Sequence, residues 1–166
     1  IAPVNSSATF YSLRMLNANT GFMSGSSGNL RKTTNGGANW DSVPGAFGTN
    51  LLRRIEFVNA TTGYLFQSTT NSGGAWKTID GGANWTAVSF GTEDSRIYYS
   101  CFINANTGYV GNYTPKLLKT TNGGANWTQV NTGIDPSQTT VRTLAINPLT
   151  TSTLYAGTGS LYGRSD

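Results

Sequence analysis

The segment Lys32-Thr33-Thr34-Asn35-Gly36-Gly37-Ala38-Asn39-Trp40 returns as Lys77-Thr78-Ile79-Asp80-Gly81-Gly82-Ala83-Asn84-Trp85 and again as Lys119-Thr120-Thr121-Asn122-Gly123-Gly124-Ala125-Asn126-Trp127. The three Trp residues stand about 42 to 45 residues apart, a period at which one supersecondary unit of four strands repeats along an array. Each copy must therefore rebuild the same local structure, and neighbouring copies must cover one another's apolar faces.

The internal order of each copy is constant. An apolar or alternating run comes first, at 10–16, 51–58, 97–103 and 141–146. Asn-rich turns follow at 17–21, 59–63 and 104–108, where Asn and Gly accept the positive φ that a tight turn demands; the fourth copy carries 147–153 instead. Second strands are expected around Phe22-Met23, Tyr64-Leu65-Phe66, Tyr109-Val110 and Leu154-Tyr155-Ala156, and third strands over 29–33, 75–78, 116–120 and 160–165. The Asn/Asp-Gly-Gly turn then delivers fourth strands at 40–43, 85–88 and 127–130. No 3.6-residue pattern occurs, which excludes a helical solenoid.

These features define an all-β chain, a β-propeller of four-stranded antiparallel blades at about 8–45, 50–90, 95–132 and 139–166, the last incomplete. Propellers contain about four to eight blades, so this single propeller domain is expected to be a fragment of a larger one, or a short unit that closes by self-association. The chain opens at Ile1 without an initiator Met and stops at Arg164-Ser165-Asp166, where a fourth box would be starting. The connections 44–50, 89–95 and 131–138 are the least regular segments and natural carriers of specificity.

Composition excludes several functions. The net charge of +4 arises from few acids, since only 11% of residues are charged, and the bases are scattered through the repeats, so nucleic acid is not an expected partner. No apolar run approaches the roughly 20 residues of a membrane-spanning helix, so no membrane insertion is expected. The single Cys101, in the apolar run Cys101-Phe102-Ile103, reads as a small core residue. Abundant Asn, Thr, Ser and Gly with little charge suits a secreted or cell-surface bacterial protein.

The pattern Thr-x-Asn/Asp-x-Gly-x-x-Trp resembles the Asp-box, or bacterial neuraminidase repeat. It matches at Thr33, Asn35, Gly37 and Trp40, at Thr78, Asp80, Gly82 and Trp85, and at Thr120, Asn122, Gly124 and Trp127. The resemblance implies a structural role: the Asn or Asp accepts N–H groups of its own turn, the glycines take conformations closed to other residues, and Trp fills space between strands. The longer repeat, from Asn-Ala-Asn-Thr-Gly-Tyr to Lys-Thr-Thr-Asn-Gly-Gly-Ala-Asn-Trp, is similar to that of the photosystem II stability/assembly factor family and its secreted bacterial relatives. That likeness implies a non-catalytic propeller that holds other polypeptides. Asn35 and Asn122 stand where the family has Asp, and the photosystem role itself is not carried over. The run 141–148 followed by 153–158 also looks like the xyloglucanase repeat, which keeps glycan binding or hydrolysis as the alternative. A structural subunit of an extracellular assembly is a third reading.

Glycoside hydrolysis needs two carboxylates about 5 to 9.5 Å apart. Of the seven acids, Asp80 belongs to a box, Asp41 follows a box Trp and Asp166 is terminal, leaving Glu56 within a first strand and Glu93, Asp94 and Asp135 on connections. With no His there is no imidazole base, Ser-His-Asp triad or His metal site, so no catalytic residue, metal or cofactor is expected. Aligning first strands on their closing Asn places Ser12, Arg54, Tyr99 and Arg142 in one column, with Arg14, Glu56, Cys101 and Leu144 two positions along on the same face. Arg54, Tyr99 and Arg142, with Arg53 and Arg96 nearby, are therefore candidates for a polar surface at the channel mouth that binds a carboxylate, a peptide or a glycan. The other reading leaves them as solvated strand ends or paired with Glu56.

Overall fold

The computed structural model describes residues 7–45, 47–68, 74–90, 96–112, 117–134, 141–147, 149–150 and 152–158. Among them every regular element is a strand. The first sheet is β1 (Phe10–Met15), β2 (Gly21–Gly25), β3 (Leu30–Thr33) and β4 (Asp41–Ser42). The second is β5 (Leu52–Phe57), β6 (Gly63–Gln67), β7 (Ala75–Thr78) and β8 (Thr86–Val88). The third is β9 (Ile97–Phe102), β10 (Gly108–Asn112), β11 (Leu117–Thr120) and β12 (Thr128–Gln129), followed by the pair β13 (Val141–Ile146) and β14 (Leu154–Thr158). Each sheet is an antiparallel meander in chain order, the form of a propeller blade. The expected third strand at 160–165 lies outside the described residues.

The fourth strands begin one residue after each box Trp, not on it. At Trp85 the indole turns back over its own turn and donates Nε1–H to the carbonyl of Gly82 at 3.2 Å.

The blades fall into two compact units, one holding the first two sheets and the other the third sheet with β13–β14. In the first unit Phe22, Leu30 and Phe47 from the first blade meet Leu52, Ile55, Phe57, Leu65 and Trp76 from the second. Phe22 stacks on Phe57 with centroids 5.1 Å apart, Trp85 meets both rings edge-on, and Trp76 stands edge-on to Phe47. In the second unit Tyr109 and Leu117 pack with Val141 and Leu144, and Cys101, expected in the core, is half-buried against that cluster. Trp127 repeats the edge-on contact of Trp85, here with Phe102.

The box explains why three copies recur so closely. Thr33 Oγ1 donates to Asn35 Oδ1 and accepts the N–H groups of Asn35 and Gly37, while Asn35 Oδ1 also accepts from Asn39 N–H. The same bonds recur around Thr78 and Thr120, and all three threonines are buried. Each turn contains two successive glycines at positive φ, such as Gly36 at 69° and Gly37 at 91°, a region that side chains with a Cβ rarely enter. The first glycine of each pair donates its N–H to the preceding Asn-rich turn, to Asn19, Thr61 or Asn106 carbonyls, so two separate motifs of the repeat are one joint. A Lys just before each box lies across from the ring opposite it: Lys32 over Phe22, Lys77 over Tyr64 and Lys119 over Tyr109, with Nζ 5.3 to 5.7 Å from the centroids.

Gly21, Gly63 and Gly108 correct the expectation that they supply positive φ. None lies in that region; each opens a second strand and pairs across from Met15, Phe57 or Phe102. A Cβ on Gly63 would come 2.8 Å from the Phe57 ring, and one on Gly108 would come 2.3 Å from the Phe102 ring. The glycine makes room for its cross-strand neighbour. In the fourth copy the pair is Ile146 and Leu154, two side chains of equal size in place of a glycine and a larger partner.

Two outcomes are expected. Gly63→Ala destabilises the fold by about 1 to 3 kcal/mol through overpacking, and adding Phe57→Ile recovers most of it, as a double-mutant cycle in denaturant would measure. Asp80 behaves differently from Asn35 and Asn122. Its exposed carboxylate accepts the backbone and side-chain N–H of Asn84, the Thr78 hydroxyl and the Ala83 N–H, which together hold its pKa at about 2 against the ordinary 3.8. A depressed carboxyl pKa stabilises the fold above the ordinary value, and that stability is lost as pH falls through about 2. Asp80→Asn should therefore flatten the melting temperature against pH between about 4 and 2 and leave the profile near neutrality unchanged in shape.

Candidate functional site

A flat strand pairs one residue with one residue, yet every first strand here has one residue too many. The register skips Tyr11 in β1, Arg53 in β5, Tyr98 in β9 and Arg142 in β13. Each is the extra residue of a β-bulge, a device that bends the strand and re-aims a side chain. The two units share one arrangement: each has one Tyr and one Arg at its bulges, Tyr11 with Arg53 and Tyr98 with Arg142.

In the first unit the guanidinium carbon of Arg53 lies 5.9 Å from the centroid of the Tyr11 ring. Tyr11 is 44% exposed, so this cation and phenol meet at the surface of the paired first strands. The neighbouring residue Arg54 points along the column shared with Glu56, and its Nε is 3.7 Å from Glu56 Oε2. Both side chains are partly buried, and the pair is an ordinary surface-edge ion pair of small net worth. The strands are also tied to each other, since Ile55 N–H donates to Ser12 Oγ at 3.2 Å.

The expected site residues separate into three groups. Arg53 and Arg142 are bulge residues, half-buried and exposed respectively. Arg54 and Tyr99 occupy the following position; Arg54 meets Glu56, and Tyr99 packs against the core of the second unit. Arg96 precedes β9 and is partly buried. The sequence alignment misplaced Arg142 and Leu144. In register Thr143 corresponds to Ser12, Arg54 and Tyr99, whereas Arg142 corresponds to Tyr11, Arg53 and Tyr98, and Leu144 is a core residue corresponding to Ile55. The cause is the fourth turn, in which Asn147 directly follows the last paired residue, while Asn17, Asn59 and Asn104 follow one residue later. Tyr11 and Tyr98 were missed for a related reason: strict alternation has no place for a bulge. Aligning on the first apolar residue of each strand, Phe10, Leu52, Ile97 and Val141, brings out the Tyr, Arg, Tyr, Arg row directly.

Of the acids, Glu56 is engaged by Arg54, Asp80 by its own turn, and Asp41 stands in β4; Glu93, Asp94, Asp135 and Asp166 lie outside the described residues. Among the described residues no three His, Cys, Asp or Glu side chains gather as a metal site would require. The box residues from Thr33 to Trp40, Thr78 to Trp85 and Thr120 to Trp127 are occupied in holding their own turns, as described above.

No protein-family model matches the chain, and no curated protein matches it. Among solved structures it is similar to an ancestral GH74 enzyme at 22% identity and a TM-score of 0.75, over 90% of this chain and 22% of that one. It is similar to YCF48 bound to D1 peptide at 16% identity and a TM-score of 0.68, over 86% of this chain and 46% of that one. It is also similar to the GH74 xyloglucanase from Xanthomonas campestris at 15% identity and a TM-score of 0.68, over 85% of this chain and 24% of that one. The chain thus spans less than half the length of each. At these identities the likeness concerns the fold, and with the meandering four-stranded sheets it establishes that this chain is built from β-propeller blades.

Proposed function

We propose that the chain is a non-catalytic binding or assembly scaffold that takes a protein or peptide on the first strands of its blades, as part of a secreted or cell-surface bacterial protein. The observation that carries this reading is the bulge repeated in every first strand. A bulge sits in the same place in all four first strands, and in each unit it presents one Arg and one Tyr. A planar guanidinium set against a phenol suits a carboxylate or a peptide backbone, because Arg donates in a fork while the ring covers apolar surface. The structure of YCF48 with D1 peptide supports it as a case in which a related fold carries a peptide.

The likeness to two GH74 enzymes supports a second reading, in which the chain is part of a glycan-active propeller, whether hydrolase or lectin. The two readings differ in ligand. Titration with immobilised acidic peptides and, separately, with xyloglucan oligosaccharides tells them apart. The scaffold reading expects peptide binding that weakens about tenfold in an Arg53→Ala, Arg142→Ala double variant, the loss of one or two charge-assisted hydrogen bonds, with circular dichroism unchanged. Peptide affinity indifferent to both substitutions would sink it, and oligosaccharide binding or cleavage would put the glycan reading in its place.

A further inference from the structure

We propose that Asn35 and Asn122 are sites of spontaneous deamidation, where opening of the box turn lets the side-chain amide become a carboxylate and refolding holds that carboxylate as it holds Asp80. Asn35-Gly36 and Asn122-Gly123 are the two Asn-Gly pairs of the chain. The pairing matters chemically, because a following residue without a Cβ leaves its backbone nitrogen the least hindered approach to the Asn side-chain carbonyl. In the reaction the Gly nitrogen loses its proton and bonds to Cγ of the Asn, while Nδ2 takes up a proton and departs as ammonia. A five-membered imide remains, and water opens it. Cleavage between the nitrogen and Cγ yields Asp. Cleavage between the nitrogen and the main-chain carbonyl carbon yields isoaspartate, in which the chain runs through the former side chain.

The folded turn withholds both partners of the reaction. Gly36 N–H donates to the Asn19 carbonyl at 2.8 Å, and Gly123 N–H donates to the Asn106 carbonyl at 2.8 Å. A nitrogen whose proton is held in this way cannot lose it to hydroxide until the bond opens, the condition that also governs amide hydrogen exchange. The electrophile is held as well. Asn35 Oδ1 accepts from the Thr33 hydroxyl and Asn39 N–H, and Asn122 Oδ1 accepts from the Thr120 hydroxyl and Asn126 N–H. Both Asn residues are exposed, so water reaches the imide once it forms.

Asp80 shows what the product gains. Its Oδ1 takes the bonds that Asn35 Oδ1 and Asn122 Oδ1 take, and its Oδ2 accepts a further one from Asn84 Nδ2 at 2.8 Å. In the other two boxes the corresponding atom is Nδ2, a donor that cannot accept from the Asn39 or Asn126 amide. Deamidation exchanges that nitrogen for oxygen and makes the further, charge-assisted bond available to each box. Isoaspartate offers no such gain. Its extra main-chain methylene lengthens a turn in which the Thr hydroxyl has to reach N–H groups two and four residues on. Each conversion also lowers the net charge of +4 by one. The inference uses no first-strand residue and is independent of the peptide surface proposed above.

The test is peptide mapping by mass spectrometry of the full chain kept at mildly alkaline pH, both folded and in concentrated urea. Conversion at Asn35 and Asn122 is expected in urea and should be about tenfold or more slower in the folded chain, where the Gly N–H bond has to open first. When the urea-treated chain is returned to buffer, the folded fraction should carry Asp at both positions and the unfolded fraction isoaspartate, told apart by enzymatic isoaspartyl methylation. Asn35→Asp and Asn122→Asp, made directly, should each raise the melting temperature at neutral pH by about 2 °C, a gain that disappears as the carboxylate is protonated in acid. Equal rates in the folded and unfolded chain, isoaspartate shared evenly between the two fractions, or a melting temperature lowered by both substitutions would overturn the proposal.

Discussion

Three buried hydroxyls hold this structure together locally. Thr33, Thr78 and Thr120 each donate one hydrogen bond and accept two, so a hydroxyl removed from water loses nothing by it. The bonds close a turn whose two glycines stand at positive φ, and the turn in turn sets where the Trp that follows can point. In the second blade that Trp is Trp85, which meets Phe22 of the first blade and Phe57 of its own. A hydrogen-bonded turn of a few residues therefore decides how two sheets pack. The tie from the first box glycine to the Asn-rich turn joins the two turns at one end of the sheet, where Gly21 pairs with Thr33, Gly63 with Thr78 and Gly108 with Thr120.

Packing between blades obeys a second rule, the conservation of volume across a strand pair. Gly63 opposite Phe57 and Gly108 opposite Phe102 leave room for a ring, whereas Leu154 opposite Ile146 divides the same space differently. Close-packed interiors respond to changes of a single methylene, so such trades have to be made in pairs.

The bulges belong to the opposite economy. The first strands are fixed by ladders on one side and, in the first unit, by a contact to the neighbouring first strand, as Ser12 and Ile55 show, yet the ladder register of each skips one residue. An irregularity repeated at one position in every copy is part of the design of the repeat, and it frees one side chain per blade from the alternation that commits the others to a blade face. That freedom is what the Arg and Tyr residues use. Arg54, one position on, remains within the alternation and ends beside Glu56.

The architecture was legible in the sequence because it is local and repeated. Box, Asn-rich turn and apolar run each follow from spacing a few residues long, and a repeat confirms itself three times over. Among the described residues strand boundaries came within a residue or two, with the fourth strands starting one residue after the Trp. The site was only partly legible. Arg53 and Arg142 stood out as residues, but their kinship with Tyr11 and Tyr98 depends on an extra residue in each ladder, and a ladder is a property of two strands, not one. The sequence by itself determined the β fold, the turns and the residues that lock them, since these interactions span a few positions. Only the tertiary structure decided which residues bulge out of their ladders and which glycines serve packing in place of turning, since those depend on register and volume across paired strands.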